Sequence, residues 1–200
     1  MSHKATESRE IRAYYDYMKK LQEKYGLPSG PYILVAKDSG KRRKNPKISR
    51  TKEGLYIHHT GELMIPALST GIVSDAAPLA FQEPNMLAYC DLLEHLLAHI
   101  MIVEASITDR DYVVASGAGI GGMKMIVGKL NDWYAGSTPA EDNWELQAWL
   151  LVKDRRSEYR GLLKRGQRAL CTLGVSGSLK KTSFEKECPR VKYTRKDSPE

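Results

Sequence analysis

Four of the five histidines in this 200-residue chain fall into two tight groups. Imidazoles gathered in this way can bind a divalent metal or carry a proton at neutral pH. His58 and His59 are adjacent, whereas His95 and His99 are four residues apart. On a helix, that second spacing puts two side chains on one face, one turn from each other. Neighbours on a strand point to opposite faces. If His58 points at a metal held by His95 and His99, His59 must therefore reach the site from another direction. One histidine would then be a ligand and its neighbour a base acting on water. The bland alternatives are a four-histidine zinc site that only staples two elements together, and four unrelated histidines. Structural zinc sites more often employ cysteine.

The elements that must position these residues are legible in part. GLYIHHT (54–60) reads as a strand closed by Gly61, with ELMIPALST (62–70) as a returning edge strand that Pro66 keeps from a central place. Residues 71–84 read as a loop ending in Glu83 and Pro84. NMLAYCDLLEHLLAHIMIVEAS then reads as one long helix, with Asn85 near its N-cap. Its apolar residues nearly surround it, so most of it should be buried.

Here the sequence resembles the HNH, or ββα-metal, nucleases. The residues that carry the resemblance are Tyr56-Ile57-His58-His59, then Pro84-Asn85-Met86, then His95-Leu96-Leu97-Ala98-His99. The match covers residues 54–100, about a quarter of the chain. The resemblance implies that His58, His95 and His99 bind one divalent ion, Mg²⁺ or Mn²⁺ first, with Zn²⁺ or Ni²⁺ as alternatives. It implies that His59 is the general base and that Asn85 fixes its orientation. A histidine suits the first role because its pKa near 6.5 leaves it neutral yet basic in the cell. The implied activity is phosphodiester hydrolysis in DNA, with RNA as the other substrate. The non-enzymatic alternative is a nucleic-acid-binding or inhibitor protein that keeps a structural four-histidine zinc site. Asp91 and Glu94, just before the helix histidines, could orient a ligand, although solvent-facing acids are the simpler expectation.

Charge supports a polyanionic partner. Residues 37–52 hold eight Lys or Arg against one acid, and 153–200 hold fourteen against six. Between Lys52 and Arg110 there is neither Lys nor Arg. The metal would thus neutralise the scissile phosphate, while Lys41, Arg42, Arg43, Lys44, Lys47, Arg50 and Lys52 hold the flanking backbone. Cutting both strands with one site per chain would favour a homodimer.

The remaining signals set the class. EIRAYYDYMKKLQEKYG spaces apolar residues as a helix and stops at Gly26; PYILVAK (31–37) reads as a short strand. GAGIGG (117–122) satisfies GxGxxG, yet no strand ending in an acid follows it, so a flexible turn opening the next helix is expected rather than a dinucleotide site. Three further helices are expected at 123–136, 143–157 and 158–170. Trp133, Tyr134, Trp144, Trp149 and Tyr14, Tyr15 and Tyr17 read first as packing residues. Cys90 reads as a buried thiol. The three cysteines form no CxxC pair, no run is long enough to span a membrane, and no signal region opens the chain, so a cytoplasmic protein without a membrane partner is expected. The expected fold is α+β, mostly helical, with a small β-hairpin and an embedded ββα-metal motif. The expected division is an N-terminal helix, strand and basic arm at 1–53, the ββα motif at 54–105, a helical region at 106–170, and a basic tail at 171–200.

Overall fold

The computed structural model describes residues 8–49, 51–109, 112–141 and 143–174. It is an α+β fold, mostly helical, with two small antiparallel two-stranded sheets. Helix α1 (Arg9–Tyr25) is capped by the Ser8 hydroxyl and ends where Gly26 turns at φ 78°. Strands β1 (Ile33–Val35) and β2 (Arg42–Lys44) form the first sheet, so the middle of the basic arm is a strand. A short helix α2 (Pro46–Ser49) follows.

The second sheet differs from the local expectation. Strand β3 (Tyr56–His59) does not pair with residues 62–70, which instead continue through a 3₁₀ turn at Thr60–Leu63. The loop expected at 71–84 contains helix α3 (Gly71–Ala76) and a 3₁₀ turn at Leu79–Gln82. The partner of β3 is β4 (Leu87–Cys90), with His58 opposite Ala88 and His59 opposite Leu87. Residues 87–90 are therefore strand rather than the first turn of a helix, and Asn85 lies in a 3₁₀ turn at Pro84–Met86 rather than at a helix N-cap.

Helix α4 (Leu92–Thr108) begins at a capping box. The Asp91 carboxylate accepts from the amides of Leu93 and Glu94 at 2.8 and 2.9 Å, and the Glu94 carboxylate accepts from the Asp91 amide at 2.9 Å. These reciprocal bonds stop the helix from extending backward and leave Leu87–Cys90 free to pair with β3. A short apolar run has no periodicity that separates a buried strand from a buried helix.

Helix α4 is buried over most of its surface and forms the centre of the molecule. One core joins it to α5 (Val113–Tyr134), α6 (Glu145–Val152) and α7 (Arg156–Thr172) through Leu93, Leu96, Ile100, Val127, Leu130, Ala148, Val152 and Leu163. A second core joins its other side to α1 and β4 through Ile11, Met18, Leu21, Ala88 and Ile102. Trp133 is buried in the first of these, with Tyr134, Trp144 and Trp149 packed against it, and Cys90 is buried in the second.

The GAGIGG stretch is not a turn. It lies inside α5, and two of its glycines face α4. A Cβ on Gly119 would meet Val103 Cγ2 at 2.8 Å and the His99 carbonyl oxygen at 3.0 Å. A Cβ on Gly122 would fall on the His99 ring. Each interior glycine costs about 0.5–1 kcal/mol relative to alanine, and the close approach of the two helices offsets it. The basic tail lies for the most part outside the described residues, as does Cys188. Among the described residues, no helix is long and apolar enough to cross a membrane.

Candidate metal centre

Strand β3 and helix α4 bring three histidines together. His58, His95 and His99 are 1, 9 and 5 % exposed, and they offer ring nitrogens that all lie within 4.8 Å of one another. The ring of His58 stands edge-on to those of His95 and His99, with centroids 5.2 and 5.1 Å away. The α4 pair stacks at 4.8 Å, and the two Nε2 atoms are 3.2 Å apart. Two nitrogens bound to one tetrahedral zinc at about 2.0–2.1 Å would be separated by roughly 3.3 Å. A buried three-histidine group able to hold a metal ion is thus present.

Polar groups surround the cluster. The Tyr14 hydroxyl, from α1, lies 2.9 Å from His58 Nε2 and donates to the His59 carbonyl oxygen at 3.3 Å. With its single proton on the carbonyl, the hydroxyl would accept from a protonated His58 Nε2. The lone pair of His58 is then on Nδ1, a buried atom with no hydrogen-bond partner. On His99, Nδ1 stands 3.8 Å from the Glu62 carboxyl, beyond hydrogen-bond distance, and Nε2 faces His95 Nε2. Glu62 is itself buried, and burial pushes its carboxyl up to about 8. Burial acts oppositely on the imidazoles. His99 is lowered to about 4, and His58 and His95 fall well below the ordinary histidine range, chiefly through desolvation. All three are neutral near pH 7, the form that ligates a metal.

Buried polar groups in folded proteins are nearly always paired. Here Nδ1 of His58, His95 and His99 and a Glu62 carboxylate oxygen are buried without hydrogen bonds. Of these atoms, an ion held by the three rings would satisfy His58 Nδ1.

His59 points away from this cluster. Its Nε2 is 3.0 Å from Gln82 Oε1, and its ring packs edge-on against Tyr32 at 4.6 Å. Gln82 is fully buried, and its amide nitrogen reaches the Leu68 carbonyl at 3.5 Å, which assigns the oxygen to the histidine. His59 therefore carries its proton on Nε2 and has an unpaired lone pair on Nδ1. Burial lowers its pKa to about 4 against the opposing Gln82 bond. The side chain that orients His59 is Gln82, which no sequence motif marks. Asn85 is exposed, and its carbonyl accepts from Gln22 at 3.0 Å. The alternation of a strand separates His58 from His59, so the structure gathers three histidines rather than four.

Asp91 and Glu94 are neither ligand supports nor solvent-facing acids. Asp91 caps α4 and binds Arg155 at 2.5 Å, while Glu94 takes Lys24 at 2.6 Å and the Tyr25 hydroxyl at 2.9 Å.

The basic arm divides. Arg42 is spent on structure, donating to the carbonyls of Ser74 and Ala77 at 3.3 and 2.7 Å. Lys41, Arg43, Lys44, Lys47 and Lys52 are exposed, and Arg50 lies outside the described residues. Lys47 and Lys52 line an open groove of about 740 Å³ with Lys24, Tyr25 and Tyr89. In the C-terminal helix, Arg165 is taken by Glu104 at 2.6 Å. No family model, curated protein or solved structure matches the chain.

Proposed function

We propose that the chain is a metal-dependent endonuclease that hydrolyses phosphodiester bonds of DNA, with RNA as a second substrate class. The observation that carries this reading is the order strand, strand, helix, in which β3 supplies His58 and α4 supplies His95 and His99 to one buried centre. That order is in keeping with the proposed ββα-metal reading. His58 through Nδ1, and His95 and His99 through Nε2, would hold one divalent ion. When bound, the ion supplies positive charge at the scissile phosphate and the departing oxygen.

The chain's own residues do the rest. Tyr14 anchors the His58 ring through Nε2, and Glu62 would stand beside His99 in the metal's surroundings. Gln82 keeps the His59 proton on Nε2, so that Nδ1 can accept a proton from water. Arg43, Lys44, Lys47 and Lys52 offer exposed cations to the flanking phosphates, which makes binding sensitive to salt.

A second reading is favoured by one observation, the near-complete burial of His58 and His99. A metal so enclosed can fasten the β3–β4 sheet to α4 in a nucleic-acid-binding protein without turnover. Plasmid cleavage by wild type and His59→Ala, in EDTA and after adding Mg²⁺, Mn²⁺, Ni²⁺ or Zn²⁺, separates the two. Metal-dependent nicking that disappears in the variant, with metal content retained, is the result expected of the nuclease. Tightly held metal and salt-sensitive DNA binding without cleavage would establish the fastening role instead.

A further inference from the structure

Beside the metal centre is a recess of about 200 Å³ with His95 in its wall. Ligand sites for drug-sized molecules run to about 300–1,000 Å³, so this one holds a single small ring system. Two aromatic residues form one side: Tyr56, from β3, and Trp144, at the start of α6, have ring centroids 5.0 Å apart and tilted by 60°. The same Tyr56 ring is 6.0 Å from His95. The exposed side chain of Met125 forms an adaptable lip.

The charged part of the recess is an ion pair, Lys129 with Glu145, both about three-quarters buried, with Ser49 also in its lining. Lys129 also reaches the Tyr56 hydroxyl at 3.4 Å. A lone phosphate is poorly matched to this pair, because the carboxylate repels it. A flat ring that presents a carbonyl beside a ring N–H is well matched: the ammonium donates to the carbonyl and the carboxylate accepts from the N–H. Guanine, uracil and thymine carry that edge. Adenine and cytosine do not.

Resting on the nuclease reading above, we infer that this recess is a subsite for one unstacked guanine, uracil or thymine, laid against the Tyr56–Trp144 wall. The pair Lys129 and Glu145 reads the lactam edge, and the bound base brings its own phosphate toward His95. Sequence preference at the cleavage point would then come from this pocket rather than from the exposed cations of the basic arm, which suit phosphates of any sequence.

The test is calorimetric titration of the full-length protein in EDTA, where no turnover occurs, with GMP, UMP, AMP, CMP and inorganic phosphate in turn. GMP and UMP should bind about tenfold more tightly than AMP and CMP, the worth of roughly one good hydrogen bond. Glu145→Leu should erase that preference, and Trp144→Ala should weaken all four nucleotides together. Equal affinity for the four bases, phosphate competing at the same concentration as GMP, or no saturable binding would each overturn the inference. Cleavage of plasmid without base preference sinks the pocket alone. Selective binding of GMP by a protein that never cleaves sinks the hydrolysis alone.

Discussion

Gly122 of α5 lies directly against the imidazole of His99 on α4, and no side chain can stand between them. The three-histidine group is thereby packed against a neighbouring helix that lacks a side chain at this point. Gly122→Ala should cost about 1–3 kcal/mol through overpacking and weaken metal binding by turning the His99 ring. Gly121→Ala is the matched control, because a Cβ there meets nothing within 4 Å. It should raise stability by about 0.5–1 kcal/mol. Urea unfolding of both variants, with zinc titration of each, checks the pair.

Metal content tests the three candidate ligands. Wild type should bind one divalent ion per chain, measured by elemental analysis after dialysis. His58→Ala, His95→Ala and His99→Ala should each lose it. Tyr14→Phe keeps the ring packed in the core and removes only the hydroxyl that holds His58. It should bind the ion about 10–100-fold more weakly, as the loss of a partner to a ligand does. Unchanged affinity in Tyr14→Phe would remove the tyrosine from the centre.

The bond between Gln82 and His59 predicts a different pattern. Gln82→Leu should leave metal content intact and lower cleavage by about 10²–10⁴-fold, the range for a mispositioned general base. Asn85→Ala, measured beside it, should cause the smaller loss, because Asn85 is exposed and Gln82 holds the ring. Single-turnover cleavage rates at saturating metal decide between them.

Arg42 and its neighbours should behave oppositely. Arg42→Ala removes two bonds from a charged donor to the Ser74 and Ala77 carbonyls, and should cost about 1.5–3 kcal/mol in stability. Arg43→Ala combined with Lys44→Ala should leave stability nearly unchanged and weaken DNA binding across all sequences. The dependence of log affinity on log salt should flatten by about 0.9 for each phosphate that the variant no longer neutralises. Thermal melting and filter binding at several salt concentrations read the two effects separately.

Local sequence was sufficient for the parts of this fold that depend on nearest neighbours. The α1 periodicity ending at Gly26, the strands at 33–35 and 56–59, and the HxxxH spacing on a buried helix all express interactions within a few residues. So does the opposition of His58 and His59, which follows from strand alternation alone. Only the tertiary structure decided the rest, because each remaining feature depends on groups far apart in the chain. Residues 87–90 are a strand because β3, some thirty residues earlier, offers an edge and because the Asp91–Glu94 box blocks the helix behind them. The glycines at 119 and 122 belong to a helix because α4 must approach closely there. Tyr14, Glu62 and Gln82 carry no motif; they became neighbours of the four histidines only when packing brought distant segments together and removed water from around the rings.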